Sequence, residues 1–263
     1  MIPKIIHYCW FGGNSLTEEA KACIDSWRRY CPGYEIIEWN ESNFDVTQNA
    51  YCCEAYEAKK WAFVSDYARL FAVHEHGGIY MDTDVEVVRA LDSLLECKAF
   101  MGFENNESVS VGTFGGEKGN SVISKFFFAY DTRHFLQVDG SFDMTTNLRV
   151  VTDILVREYG LRLDGRRQDL MGEVVIYPME AFIAKDHRTG WILRDESTYA
   201  IHHYAASWID DKQRRREDVY RQYLRTYIRA VQPFLSKYAS IRTSYELDGI
   251  LGVMEKIKKY ISK

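Results

Sequence analysis

Two aspartates separated by one residue, Asp82 and Asp84, are the groups in this chain best suited to chemistry. They directly follow the apolar run 79–81, whereas aspartates in solvated turns usually follow polar segments. If the chain stays extended here, side chains two positions apart project to the same side, and the two carboxylates converge. Converging carboxylates suit a hard divalent cation, Mn²⁺ or Mg²⁺, especially one that also holds phosphate oxygens. The sequence therefore predicts metal-assisted chemistry on a diphosphate.

A second charged pair, Asp66 and Arg69, lies in a segment with helical spacing over 60–74. Residues three apart on a helix share a face. One interpretation is a surface ion pair worth about 0–1 kcal/mol. The other is a binding pocket in which Asp66 accepts hydrogen bonds from sugar hydroxyls, Arg69 supports charged groups, and Ser65 reaches the same place.

The elements that must position these residues alternate between strand and helix patterns. The spacing predicts strands over 4–11, 34–39, 79–81, 85–88, 99–103, 109–114, 174–177 and 199–204, and helices over 17–30, 60–74, 121–130 and 147–159. Thr17 is the expected N-cap of the first helix. The strand–helix–strand opening predicts an α/β nucleotide-binding unit.

Composition excludes several classes of protein. The chain has 263 residues and a formal net charge of −5, which gives no argument for nucleic-acid binding. No apolar run approaches the ~20 residues that span a bilayer. The six cysteines form no CxxC pair, which favours reduced thiols. These features predict a cytoplasmic protein.

Beyond residue 208 the composition becomes rich in Lys and Arg. The spacing predicts a helix within 212–242 and another over 245–261, and the first pairs an apolar stripe with several arginines. This segment could pack on the catalytic domain. Alternatively, its basic face could contact anionic lipids at the inner membrane surface.

Two segments together, 62–69 and 77–84, resemble the DXD sugar-binding region of family 32 glycosyltransferases. That family includes yeast initiating mannosyltransferases and bacterial capsular polysaccharide transferases, and it is similar to the glucosylating domain of large clostridial toxins. The opening segment 2–13 resembles both groups as well. The resemblance implies a GT-A fold, a Rossmann-like mixed sheet flanked by helices. It implies a catalytic domain over 1–210, with a nucleotide-sugar half at about 1–90 and an acceptor half at about 91–210, and a helical extension over 211–263.

The resemblance also implies donor contacts along the first half of the chain. Trp10 corresponds to the aromatic residue that stacks on the nucleotide base, and Asn43 to a polar contact with the nucleoside. The other donor contacts it implies are Ser65, Asp66 and Arg69 for sugar and ribose, and Tyr80 and Asp82 near the phosphates.

The metal site implied by the resemblance consists of the two aspartates and a ligand from the segment 202–208. Adjacent strand residues point to opposite faces, so only one of His202 and His203 can bind, and similarity favours His203. Ser207 and Trp208 would then contact the diphosphate, the indole N–H acting as a donor.

The implied reaction transfers a hexose from a UDP- or GDP-sugar to a saccharide or lipid-linked saccharide acceptor, with retention, in surface polysaccharide synthesis. The residues expected to act in catalysis are Asp66, Arg69 and Asp84. A polar turn at 145–147, which opens a predicted helix, is a candidate acceptor contact.

Two rival interpretations stay open. Strand 79–81 with Asp82 and Asp84 also fits a haloacid-dehalogenase-like phosphatase, with Asp82 as nucleophile and Asp84 as acid–base. That class places its nucleophile after the first strand of the fold, which leaves the first 80 residues unexplained. The other rival is a protein that binds nucleotide sugars without turning them over.

Overall fold

A computed structural model describes residues 1–185 and 191–205, and short C-terminal runs at 215–216, 219–220, 222–223, 240–245, 248–250 and 252–254. The chain forms two compact units. The first contains Met1–Ala184 and Arg194–His203, and the second contains Lys185–Leu193 and Tyr204–Lys263. The domain boundary expected near residue 210 stays a prediction.

A mixed sheet of seven strands is the framework of the first unit. In chain order, its strands and two further ones are β1 (Ile5–Cys9), β2 (Glu35–Trp39), β3 (Gly78–Met81), β4 (Val85–Val87), β5 (Ala99–Asn105), β6 (Ser108–Gly116), β7 (Gln168–Leu170), β8 (Val174–Tyr177) and β9 (Ala200–His202). The sheet has the order β2-β1-β3-β6-β5-β8-β7, and β4 pairs separately with β9. Strands β2, β1 and β3 are parallel, whereas β6 is antiparallel to β3.

Helices cover the sheet because the strand residues that point to either face are mostly apolar. The helices are α1 (Glu18–Tyr30), α2 (Ala50–Glu57), α3 (Trp61–His76), α4 (Ser121–Phe128) and α5 (Asn147–Tyr159). In β3, Ile79 and Met81 pack into the core layer that contains Trp27 of α1. Tyr80, between them, packs into the layer formed with α2–α5. The expected Rossmann-like mixed sheet flanked by helices is confirmed.

Most predicted elements form close to their expected bounds. The hydroxyl of Thr17 accepts a hydrogen bond from the Ala20 N–H at 3.1 Å and caps α1, as expected. The helix α5 has the predicted bounds. The prediction missed α2, whose short sequence has no clear apolar stripe, and β7, which has only three residues.

The residues of the two predicted C-terminal helices fall in the second unit. Its described runs 240–245, 248–250 and 252–254 are helical, and Arg216 forms an ion pair with Asp248 at 2.6 Å. Most of the basic stripe expected within 212–242 lies outside the described residues. Among the helices that can be described, none is both long and apolar enough to cross a membrane.

Candidate active site

The carboxyl ends of β1, β2 and β3 bring the predicted donor residues to one edge of the sheet. Trp10 follows β1, Asn43 lies in the loop after β2, and Asp82 follows β3. Because these strands are parallel, their carboxyl ends share an edge. In α/β sheets the crevice at this edge is the usual ligand site.

The segment 82–84 is a tight turn between β3 and β4. The N–H of Asp82 donates to the Gly112 carbonyl of β6 at 2.8 Å, and the N–H of Val85 donates to the Asp82 carbonyl at 3.0 Å. The extended chain expected here is therefore wrong. The two carboxylates converge nonetheless, because ligand atoms of Asp82, Asp84 and His202 all lie within 4.8 Å of one another.

His202 reaches the aspartates through strand pairing. The strand β9 runs antiparallel to β4 and places His202 opposite Val85, next to Asp84. The Nε2 atom of His202 lies 3.2 Å from Oδ1 of Asp84. Burial disfavours the imidazolium, but the carboxylates of Asp84 and Asp82 outweigh it and raise the pKa of His202 to about 9.

His203 points to the other side of the strand. Its Nε2 lies 2.8 Å from Oε2 of Glu86, and its backbone N–H donates to the Asp84 carbonyl at 2.8 Å. The expectation that only one of the two histidines faces the aspartates agrees with this geometry. The choice of His203 is corrected: the structure brings His202 to the aspartates.

Arg69 connects the carboxylates of two different elements. Its Nη1 lies 3.3 Å from Oδ1 of Asp82, and its Nη2 lies 3.2 Å from Oδ1 of Asp66. The Arg69 side chain is only 8% exposed, so this is not a surface ion pair. Its guanidinium lies 4.8 Å from the ring centroid of Tyr80, whose hydroxyl donates to Oδ1 of Asp82 at 2.8 Å. The Asp82 carboxylate is thus oriented from two sides.

Asp66 of α3 is held in place by Asn147, the first residue of α5. The side-chain amide of Asn147 donates to the Asp66 carbonyl at 3.0 Å. Burial raises the pKa of the Asp66 carboxyl to about 6, against the lowering effects of Arg69, a backbone hydrogen bond from Asn147, and Arg133. The Ser65 carbonyl accepts a hydrogen bond from Nε of Arg69 at 3.1 Å, while the Ser65 side chain is partly exposed.

Gly112 is a site residue that the sequence prediction missed. A Cβ at this position would lie 2.9 Å from Oδ2 of Asp82 and 3.2 Å from Cε1 of His202. A glycine inside a strand often marks such a close approach, which is the only local signal that could have found it. Two carboxylates and an imidazole, beside a strand position kept free of a side chain, fit a divalent cation such as Mn²⁺.

The side chains of Trp10 and Asn43 each donate a hydrogen bond to a nearby backbone carbonyl. The indole N–H of Trp10 donates to the Asn14 carbonyl at 2.6 Å, and its ring is partly exposed. The side-chain amide of Asn43 donates to the Glu38 carbonyl at 2.7 Å and closes the loop after β2. Their contacts with a nucleotide stay predictions. Ser207 and Trp208 lie outside the described residues.

Known proteins resemble this site in sequence. Residues 17–101 match the family described as "Glycosyltransferase sugar-binding region containing DXD motif". This segment contains α3, the turn 82–84 and all of the donor positions between Asn43 and Asp84. The match confirms the resemblance inferred from the sequence: residues 17–101 are similar to the sugar-binding region of the DXD glycosyltransferases.

Yeast mannosyltransferases are among the similar proteins. Inositol phosphoceramide mannosyltransferase 3 of Schizosaccharomyces pombe is 32% identical over 130 residues, which are 46% of this chain and 35% of that protein. Mannosyl phosphorylinositol ceramide synthase CSH1 of Saccharomyces cerevisiae is 28% identical over 123 residues, 44% of this chain and 31% of that protein. The chain thus spans about a third of the length of these relatives.

Solved glycosyltransferases show a weaker likeness. The PaToxG glycosyltransferase aligns with a TM-score of 0.44 and 20% identity over 60% of this chain and 70% of that one. A glycosyltransferase involved in glycosylation of the major capsid of PBCV-1 aligns with a TM-score of 0.43 and 11% identity over 77% of this chain and 95% of that one. Likeness at this level carries no weight for function.

Proposed function

We propose that this protein is a metal-dependent hexosyltransferase with a GT-A catalytic domain, which uses a nucleoside diphosphate sugar as its donor. The observation that carries the proposal is the group of Asp82, Asp84 and His202, whose ligand atoms lie within 4.8 Å of one another. The two aspartates of this group belong to a matched DXD sugar-binding region. The chemistry needs a cation beside the leaving diphosphate, and this donor set is suited to hold one.

Asp82, Asp84 and His202 would hold the Mn²⁺ or Mg²⁺ ion. When bound, the ion would neutralise the charge of the diphosphate and make it a better leaving group. Arg69 and Tyr80 fix the orientation of the Asp82 carboxylate. Asp66, kept next to Arg69, would accept hydrogen bonds from hydroxyls of the transferred sugar.

The donor nucleotide would stack on Trp10 at the carboxyl end of β1. We propose UDP or GDP as the nucleotide and a hexose as the sugar. The names of the yeast relatives make mannose the first hexose to test. The proposed acceptor is a saccharide or a lipid-linked saccharide of a surface polysaccharide, used in the cytoplasm.

Retention of anomeric configuration follows from the resemblance and is part of the proposal. Asp66 and Asp82 are both paired with Arg69, and Asp84 belongs to the proposed metal group, so these carboxylates suit binding and not nucleophilic attack. A front-face route suits this arrangement, with an oxygen of the departing diphosphate taking the proton of the acceptor.

A donor-hydrolysis screen tests the proposal. The purified protein is incubated with UDP- and GDP-hexoses in the presence of Mn²⁺, and released nucleotide is measured with and without EDTA. We expect release from one donor that stops on chelation. Phosphate release from a generic phosphomonoester would favour the phosphatase instead, and donor binding without turnover would favour the non-catalytic binding protein.

A further inference from the structure

A cluster of buried polar side chains lies beside Asp66, outside the metal group. The rings of Tyr51 and Tyr130 pack edge to face with centroids 4.9 Å apart. The Arg133 guanidinium lies 4.7 Å from the centroid of each ring. The negative charge of Asp66 reaches both phenols and contributes to their raised pKa values, so the cluster is close to Asp66.

Several polar atoms of this cluster lack hydrogen-bond partners among the described residues. Within the described part of the chain, no hydrogen-bond partner is present for the hydroxyls of Tyr51 and Tyr130, for Nη1 of Arg133, or for Oδ1 of Asn147. Both tyrosines are fully buried. Buried polar atoms without partners reduce stability, and native proteins contain few of them. Their concentration at one place favours a role other than stability.

Arg133 holds the segment that leads into α5. Its Nη2 donates to Oδ2 of Asp143 at 2.7 Å and to the Thr145 carbonyl at 3.2 Å. The N-cap residue of α5, Thr146, makes no capping hydrogen bond with its side chain. The start of α5 is therefore fixed by Arg133, and not by a cap of its own.

The first residue of α5 is the one that holds Asp66. Asn147 donates its side-chain amide to the Asp66 carbonyl at 3.0 Å, and a backbone hydrogen bond from Asn147 also acts on the Asp66 carboxylate. A chain of contacts thus runs from Arg133 through 143–145 and Asn147 to Asp66. A shift at the beginning of this chain would move the carboxylate at its end.

We propose that Arg133 is a positioning residue for sugar transfer, which sets the start of α5 so that Asn147 holds Asp66 toward the transferred sugar. The inference rests on the proposed function, because it takes Asp66 as a donor-sugar contact. Arg133 itself touches no substrate in this proposal.

A double-mutant cycle tests the coupling. We expect Arg133→Met to lower kcat/KM for donor hydrolysis about 10- to 100-fold, the range seen when a residue that orients a metal ligand is removed. In the Asp66→Asn background the same change should cost less than about 3-fold, because coupled residues are not additive. Arg133→Lys, which keeps the charge but not the planar guanidinium whose Nη2 donates to both Asp143 and Thr145, should lose most of the same activity.

Three further measurements separate positioning from a structural role. Mn²⁺ affinity should be the same in Arg133→Met and wild type, because the metal group lies on other elements. The matched control is Arg157→Met, which removes an exposed arginine of α5 and should leave kcat/KM unchanged. Hydrogen exchange should accelerate at 143–148 in Arg133→Met and stay unchanged in Arg157→Met.

The outcomes are distinguishable. Equal losses from Arg133→Met in the wild-type and Asp66→Asn backgrounds would overturn the inference and leave the proposed function intact. Unchanged exchange at 143–148 in Arg133→Met would overturn it without any activity measurement. A wild-type protein that hydrolyses no donor would instead overturn the proposed function.

Discussion

The two histidines at the end of β9 differ in what each can contribute. The Nε2 of His202 lies 3.2 Å from Asp84, whereas that of His203 lies 2.8 Å from Glu86. We expect His202→Ala to lower Mn²⁺ affinity and kcat strongly, and Asp84→Ala to abolish activity, because each change removes a ligand atom. The matched control His203→Ala should retain most activity. Mn²⁺ titration and donor hydrolysis of the three variants provide the measurement, and a larger loss in His203→Ala than in His202→Ala would contradict it.

Protonation of His202 should make metal binding depend on pH. The acidic neighbours raise its pKa to about 9, so the imidazole carries a proton at neutral pH and must release it when it binds a cation. The affinity for Mn²⁺ should therefore rise about tenfold for each pH unit between about pH 6 and about pH 8, since one proton competes with the ion. Calorimetric titration over this range measures the slope. His202→Ala should bind more weakly at every pH with a shallower slope, and an equally steep slope in that variant would assign the proton elsewhere.

The strand β6 leaves room for the metal group at Gly112 and provides none of the proposed metal-ligand atoms. A Cβ at Gly112 would lie 2.9 Å from Oδ2 of Asp82. Carboxylate oxygens held against Arg69 and Tyr80 have little freedom to move away. We expect Gly112→Ala to lower Mn²⁺ affinity and activity at least about tenfold, as loss of orientation at a metal ligand does.

Gly116→Ala, in the same strand, is the matched control. The Cβ there would meet apolar side chains alone, Ile123 at 3.0 Å and Ala99 and Val73 at 3.6 Å. Its thermal stability is compared directly with that of Gly112→Ala, and its Mn²⁺ affinity should equal that of wild type. Unchanged metal binding in Gly112→Ala would show that the aspartate can relax away from β6.

The helices near the site have features that local sequence patterns predict. The α3 spacing placed Asp66 and Arg69 on one face, and the structure has Arg69 Nη2 3.2 Å from Asp66 Oδ1. The α1 cap at Thr17 and the bounds of α5 were likewise predicted. These features depend on residues within a few positions of one another, so a local pattern suffices. The role of the segment 143–145 depends on Arg133, and no local pattern indicates it.

Ligand binding should stabilise the folded protein as a whole. A ligand at 100 times its Kd that binds only the folded state contributes about 2.7 kcal/mol. For a chain of this size that corresponds to a rise in Tm of about 5–10 °C. We expect this shift when Mn²⁺ is added together with UDP or GDP, whichever nucleotide the donor carries. Thermal unfolding with each nucleotide, with and without EDTA, measures it.

The control for this experiment is Asp84→Ala, which should show no shift from the combination of metal and nucleotide. Asp84 is a partly buried side chain in a surface turn, so its loss should leave the sheet intact. An equal shift in the variant, or a shift in wild type that survives chelation, would contradict metal-dependent nucleotide binding.

The α/β class, the paired aspartates and the Asp66–Arg69 pair are predictable from the amino-acid sequence, because each follows from spacing along a short stretch of chain. Which histidine meets the aspartates is set by contacts between distant parts of the chain. That choice depends on the register of β9 against β4, in which Val85 lies opposite His202. The closeness of Gly112 likewise comes from the antiparallel pairing of β6 with β3. Register between segments distant in the chain is set by packing over the whole sheet, and a one-residue change would exchange the faces of every side chain in the strand.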